Sequence, residues 1–297
     1  MREPQSITVN DDERLIPIWS IVVAAAAFVL VEYYFWLVLP QGRNHQPPPL
    51  GFRIYFNVSW GLLAALYFRV LRHNPKNPGW RERDRFILSK GHGCPALYAV
   101  MAEAGYIDPA LLPTLRKLGS PLQGHPDKRM LPALEASTGS LGQGLSIGIG
   151  MALAAQLDKL DYHTFVMVGD GEIQEGQNWE AAMFAPYHKL SNLTLIVDYN
   201  HQRLDGFTKD ILDVDPLPAK FASFGWNAVE IDGHNFDEVI PALEKARANT
   251  NGKPVAIIAN TIKGKGVSFM ENNPKWHGVA PKPEEVAAAV KELESTK

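Results

Sequence analysis

With a single cysteine, Cys94, the chain can form neither an internal disulfide nor a Cys-rich metal site. That fits a reducing compartment and makes the cytoplasm the expected location. Charge of one sign is scarce as well. The 29 Lys and Arg residues and 32 Asp and Glu residues are interleaved, leave a formal net charge of -3 and form no long basic run, so nucleic acid is set aside as a partner. What the chain has in quantity is apolar: 46% hydrophobic residues over 297 positions suffice for a substantial core, as one large domain or two small ones.

The longest apolar run lies near the front. Residues 15–31 carry no charge, and beyond Glu32 the run continues through Tyr33, Tyr34, Phe35, Trp36 and Leu37. That length spans a bilayer, and Trp19 at one end with Tyr33, Tyr34 and Trp36 at the other resemble interfacial anchors. The expectation is a membrane helix over 15–38, with Arg43 and Arg53 placing the C-terminal part on the cytoplasmic side. A helix buried on a partner subunit is the alternative. A cleaved leader fits poorly, because Asp11, Asp12 and Glu13 precede the run and no small-x-small site follows it. Pro47, Pro48 and Pro49 read as a stiff linker, dividing the chain into an N-terminal segment, 1–50, and a main domain, 51–297. A second apolar stretch, 54–68, is short for a membrane span and contains Asn57, Ser59 and Gly61, so a buried helix is favoured there.

Beyond Arg69, helical and strand periodicities alternate. The pattern predicts helices over 141–157, 178–190 and 236–248, and strands over 164–168, 193–197, 227–231 and 254–259. The expected fold class is α/β: a doubly wound, mostly parallel sheet with helices on both faces. Such sheets bind ligands beyond the carboxyl ends of their strands, which directs attention to the residues just after Val168 and Val197.

There the sequence reads Gly169-Asp170-Gly171-Glu172 and Asp198-Tyr199-Asn200. Glycines on either side of Asp170 allow backbone amides to approach a diphosphate, and a carboxylate with an amide oxygen offers hard ligands to Mg²⁺ when phosphate oxygens complete the octahedron. Surface turns also use Gly-Asp-Gly freely.

Gly-Asp-Gly followed some thirty residues later by Asn resembles the signature of thiamine-diphosphate enzymes. The wording from Gly169 through Gln177 and then Trp179-Glu180-Ala181-Ala182 is similar to transketolase rather than to pyruvate decarboxylases or dehydrogenases. Agreement runs from about Leu63 to the C-terminus. It takes in Ser89-Lys90-Gly91-His92, Gly124-His125-Pro126, Ser137-Thr138-Gly139-Ser140-Leu141-Gly142-Gln143-Gly144, Asp232-Gly233-His234 and Trp276-His277-Gly278. The resemblance implies Mg²⁺ held by Asp170, Asn200 and the backbone carbonyl of Gln202. It implies a cofactor cradle containing Gly139, Leu141, Gly169, Gly171 and Glu172. It also implies that Glu175 couples cofactor sites across a dimer and that His92, His125 and His277 sit near the thiazolium and the sugar, where imidazoles move protons at neutral pH. Lys263 and Lys265, just after the last predicted strand, could face the diphosphate or simply be solvated. The implied reaction transfers a two-carbon ketol unit from a ketose phosphate to an aldose, with the cofactor performing the difficult step.

Two departures qualify the resemblance. Complete transketolases carry a second α/β domain, which holds the glutamate that activates the aminopyrimidine, and a C-terminal domain; neither is in this sequence. The expected partner is a separate C-terminal, pyrimidine-binding subunit, in a homodimer or heterotetramer, and the chain alone should be inert. At the front, Phe52 in Gly51-Phe52-Arg53-Ile54 stands where the family has a substrate histidine, and phenylalanine can neither hydrogen-bond a hydroxyl nor move a proton. An inactive transketolase-like subunit of a membrane complex is therefore the alternative function. Deoxyxylulose-phosphate synthase shares the sheet and metal motif, but Gln174-Glu175-Gly176-Gln177 and Asp198-Tyr199-Asn200 argue against it.

Overall fold

The computed structural model describes residues 56–279 and 281–295. In chain order the elements are α1 (Phe56–Ala65), β1 (Arg85–Leu88), α2 (Cys94–Glu103), α3 (Gln143–Leu157), β2 (Thr164–Gly169), α4 (Gly176–Tyr187) and β3 (Leu193–Tyr199). There follow β4 (Gln202–Arg203), β5 (Gly206–Phe207), α5 (Thr208–Ile211), α6 (Leu217–Phe224), β6 (Asn227–Asp232), α7 (Phe236–Arg247), β7 (Val255–Asn260) and α8 (Pro283–Ser295).

Five strands form one parallel sheet in the order β1-β2-β3-β7-β6, and β4 and β5 make a small antiparallel hairpin. Every residue of β2 and β3 is buried. Val166, Val168, Leu195 and Val197 join one core with Leu145 and Ile149 of α3, while Phe165, Met167 and Ile196 between them are equally buried. Unbroken apolar runs rather than alternation are what a parallel sheet covered on both faces requires. The chain steps from β1 through β2 and β3 out to β6 in one direction, then back to β7. Right-handed crossovers consequently send α7 to the face opposite α3 and α4. In keeping with this, α3, α4 and α6 pack in a row, whereas α7 lies on β6 beside α1 and α1 packs on α2.

The expected fold class holds, and the corrections are local. Strands β2 and β3 run on through Gly169 and Tyr199, so Asp198 is a strand residue, not a loop residue. Strand β1, helices α2, α5, α6 and α8, and the hairpin were not foreseen; most are short or weakly periodic, but α8, 13 residues long with Val286 and Ala289 buried on one face, was readable and was missed. In the 54–68 stretch, α1 runs into a π-turn over Leu66–Val70, and Leu62, Leu63 and Leu66 are fully buried, as expected of a packed helix. Among the described residues no helix is long and apolar enough to cross a membrane. The predicted membrane helix over 15–38, the Pro47–Pro49 linker and Phe52 lie outside the described residues.

Two features fix the sheet's geometry. At the amino ends of the strands, the buried Asp84 carboxylate accepts from the backbone amides of Arg72 (2.7 Å) and His163 (2.9 Å) and from Arg247 Nε (2.8 Å). Across the sheet, α3 lies so close that a Cβ built on Gly148 would sit 2.3 Å from Val166 Cγ2. A methyl there forces the helix off β2, so Gly148→Ala should lower stability by about 1–3 kcal/mol, read as a lower urea midpoint with an unchanged m-value.

Candidate functional site

At the carboxyl ends of the strands a cavity of about 460 Å³ opens. Lining it are His92, His125, Gly139, Leu141, Gly169, Asp170, Gly171, Glu172, Glu175, Asn200, Gln202, Lys263 and His277, all of them site residues expected from the sequence.

Its floor is the tip of β2. Asp170 is 1% exposed; its Oδ1 accepts from the Gly171 amide (2.8 Å), whereas its Oδ2 is buried with no partner. Burial, and next the neighbouring Asp198 carboxylate, push the Asp170 carboxyl up to about 7. Since parallel pairing sets Gly169 opposite Asp198, Asn200 leaves β3 beside the residues that follow Asp170. Its Oδ1 accepts from the Gln202 amide at 3.1 Å. A Cβ built on Gly171 would lie 3.1 Å from Arg203 Cβ and 4.0 Å from the Gln202 carbonyl oxygen, so glycine is what lets the two turns meet. Among the described residues no three His, Cys, Asp or Glu side chains gather to hold an ion by themselves. The donors present are instead an orphaned carboxylate oxygen, an amide oxygen and a carbonyl, all hard, with one negative charge. They fit Mg²⁺ delivered with phosphate oxygens and would fit a softer ion poorly.

Glu172 lines the cavity, but its carboxylate is engaged within the protein. Its carboxylate takes the Ser89 hydroxyl and the amides of Gly142 (2.8 Å) and Gly169 (3.1 Å), and the Gly144 amide in turn donates to Ser89 Oγ (3.0 Å). With both oxygens used inside the protein, Glu172 braces the cradle rather than contacting a ligand through its carboxylate. Burial still pushes its pKa up, against those hydrogen bonds.

The wall opposite is basic and dry. The His92 and His277 rings lie 5.7 Å apart, and Lys263 Nζ donates to His277 Nδ1. Burial first, then Lys90, hold His92 down to about 3; burial and Lys263 hold His277 down to about 4. Lys263 itself is lowered to about 8, by burial and then Lys90. At neutral pH this wall therefore presents two neutral imidazoles and one poorly hydrated ammonium, an arrangement suited to an anion and to hydroxyl groups. His125 stands at the exposed rim, with Gly139 (φ 143°) so close that a Cβ there would be 3.0 Å from His125 Cγ. Glu175 is also exposed, at the mouth.

Of the two readings left open for Lys265, the structure favours the one away from the diphosphate. It lies outside the cavity lining and pairs with Glu271 at 3.4 Å. The Asp232-Gly233-His234 motif is structural, since His234 Nε2 accepts from the Ile262 amide (2.7 Å) and so secures the turn that carries Lys263. Lys90 was missed as a site residue although its tetrapeptide was noted. A lone lysine between Ser and Gly reads as solvated, and only β1 reveals that it stands at a strand tip.

The buried histidines have an acid consequence. His92, His277 and His163, the last held down to about 3 by burial, ionise near 6.5 when unfolded but well below that when folded. The unfolded chain then binds more protons between those limits, so their contribution is complete above about 6.5 and is lost as pH falls. Three such histidines outweigh the Asp170 carboxyl, which burial shifts the opposite way, so urea midpoints should fall on balance from pH 6.5 to pH 4.

A family model described as "Transketolase, thiamine diphosphate binding domain" matches residues 60–295. The chain belongs to the transketolase family. It is 50% identical over 233 residues to a Clostridium protein named "6-deoxy-6-sulfo-D-fructose transketolase subunit SqwG", covering 78% of this chain and 84% of that one. It is 47% identical to a protein of Actinobacillus succinogenes named as one of the subunits of apulose-4-phosphate transketolase, over 78% of this chain and 83% of that one. Among solved structures, transketolase from Campylobacter jejuni superposes with a TM-score of 0.75 at 30% identity over 84% of this chain. That alignment takes in only 43% of the Campylobacter chain, so the present chain spans less than half of such a single-chain transketolase.

Proposed function

We propose that this chain is the diphosphate-binding subunit of a two-chain transketolase, which binds thiamine diphosphate through Mg²⁺ and, with a separate pyrimidine-binding subunit, moves a two-carbon ketol unit between sugar phosphates. The observation that carries the reading is the buried, unpartnered Oδ2 of Asp170 at a strand tip beside Asn200. A carboxylate oxygen without a hydrogen bond is expensive to bury, and a metal is the partner it lacks. Family membership supports the cofactor, and relatives named as transketolase subunits support the split.

On this reading Asp170, the Asn200 amide oxygen and the Gln202 carbonyl hold the ion. Gly169 and Gly171 admit the diphosphate, Lys263 faces its charge, and Gly139 and Leu141 form apolar and backbone wall. Thiamine diphosphate, when bound, supplies the carbon nucleophile that breaks and remakes the C–C bond. His92 and His277, neutral and half-buried, accept hydrogen bonds from substrate hydroxyls and relay protons; His125 contacts substrate from the rim, and Glu175, at the mouth, meets the companion chain. Calorimetric titration of the chain with its companion subunit tests this: heat from thiamine diphosphate that appears with Mg²⁺ and vanishes with a chelator is expected. No binding under either condition would sink the reading.

A further inference from the structure

One buried group at the strand tips has no role in the reading above. Asp198 is fully buried in β3, paired in register with Gly169 on one side and Ala259 on the other. Its carboxylate receives Lys90 Nζ from the turn after β1 and Thr261 Oγ1 from the residue after β7. Its carbonyl receives the Asp170 amide (3.3 Å) and Asn200 Nδ2 (3.5 Å). A single residue thus touches both residues whose side chains are assigned to the ion, and it ties three other strand tips to β3.

Stability alone is a poor reason for such a network, because a buried ion pair is often matched or bettered by apolar residues of the same volume. Groups behind a metal's ligands, in contrast, govern the ligands' orientation and thereby the affinity. We infer that Lys90, Asp198 and Thr261 form a positioning network that holds Asp170 and Asn200 at the spacing the ion requires, and that it governs affinity for Mg²⁺ rather than for the organic cofactor. The inference rests on the Mg²⁺–thiamine diphosphate reading.

The test is a MgCl₂ titration at fixed thiamine diphosphate, with cofactor binding followed by calorimetry on the full chain paired with its companion subunit. Thr261→Val removes one hydrogen bond and leaves the ion pair, so the fold is retained. It should raise the half-saturating Mg²⁺ concentration about tenfold, Thr261→Ser should restore it, and thiamine diphosphate affinity at saturating Mg²⁺ should be unchanged. The charge-balanced double variant Lys90→Met/Asp198→Asn should shift the Mg²⁺ midpoint further in the same direction. A Thr261→Val protein with a lower melting temperature and an unmoved Mg²⁺ midpoint overturns the inference, as does a binding loss that saturating Mg²⁺ fails to restore. A wild-type pair that binds no thiamine diphosphate overturns the cofactor reading and the inference with it; wild-type binding with unmoved variants overturns the inference alone.

Discussion

Replacing Asp170 with alanine should reduce Mg²⁺-dependent thiamine diphosphate binding by more than about a hundredfold, since it removes the one carboxylate of the proposed ligand set. The same position should behave oppositely in the protein without cofactor. Burial raises the Asp170 carboxyl from 3.8 to about 7, so the folded chain holds a proton that the unfolded chain has released. Its contribution to stability is therefore full below about 3.8, declines as pH rises and is gone above about 7, where a buried charge remains. The shift corresponds to roughly 4 kcal/mol. Asp170→Asn, which keeps the shape without the charge, should accordingly unfold at higher urea than the wild type at pH 8 and at nearly the same urea at pH 4. Loss of binding with a gain in apoprotein stability separates a ligand from a structural carboxylate; destabilisation at pH 8 would count against the assignment.

The second large effect concerns the companion subunit. Among the described residues, the cavity's buried acids are accounted for: Asp170 by the proposed ion and Glu172 by three donors, while Asp205 pairs with Arg203 at 2.9 Å and Glu175 is exposed at the mouth. Among the described residues no buried acid is then left to exchange a proton with a cofactor lying in the cavity. Ketol transfer from a ketose phosphate should consequently be undetectable with this chain alone and should rise by several orders of magnitude when a pyrimidine-binding subunit is added, followed by product analysis. Activity of the purified chain by itself would refute the division of labour. A mixture that binds cofactor without turning over would favour the reading as an inactive subunit.

How much of this was legible beforehand depended on what each residue's neighbours in sequence could say. Gly169-Asp170-Gly171 and Asn200 announce themselves because they form a spaced motif that directly follows two apolar strand runs, and the structure sets them around one cavity. The buried runs of β2 and β3 are readable for the same kind of reason: a sheet covered on both faces permits little but apolar side chains. Lys90, Asp198 and Thr261 were silent, since the partner of each lies on a different strand and no local pattern records a pairing across the sheet. The partners of Glu172 were equally hidden, because its place in a cofactor motif says nothing of the three donors that its carboxylate accepts from. Lys265 stayed undecided in the sequence, two residues from Lys263 yet turned to Glu271.

Asp84, holding Arg72, His163 and Arg247 together, rivets the sheet at the rim remote from the cavity. Mechanical anchorage and chemistry are thereby assigned to opposite ends of the same strands. Turns on the cavity side can therefore change in sequence without loosening the rim that keeps the strands in register.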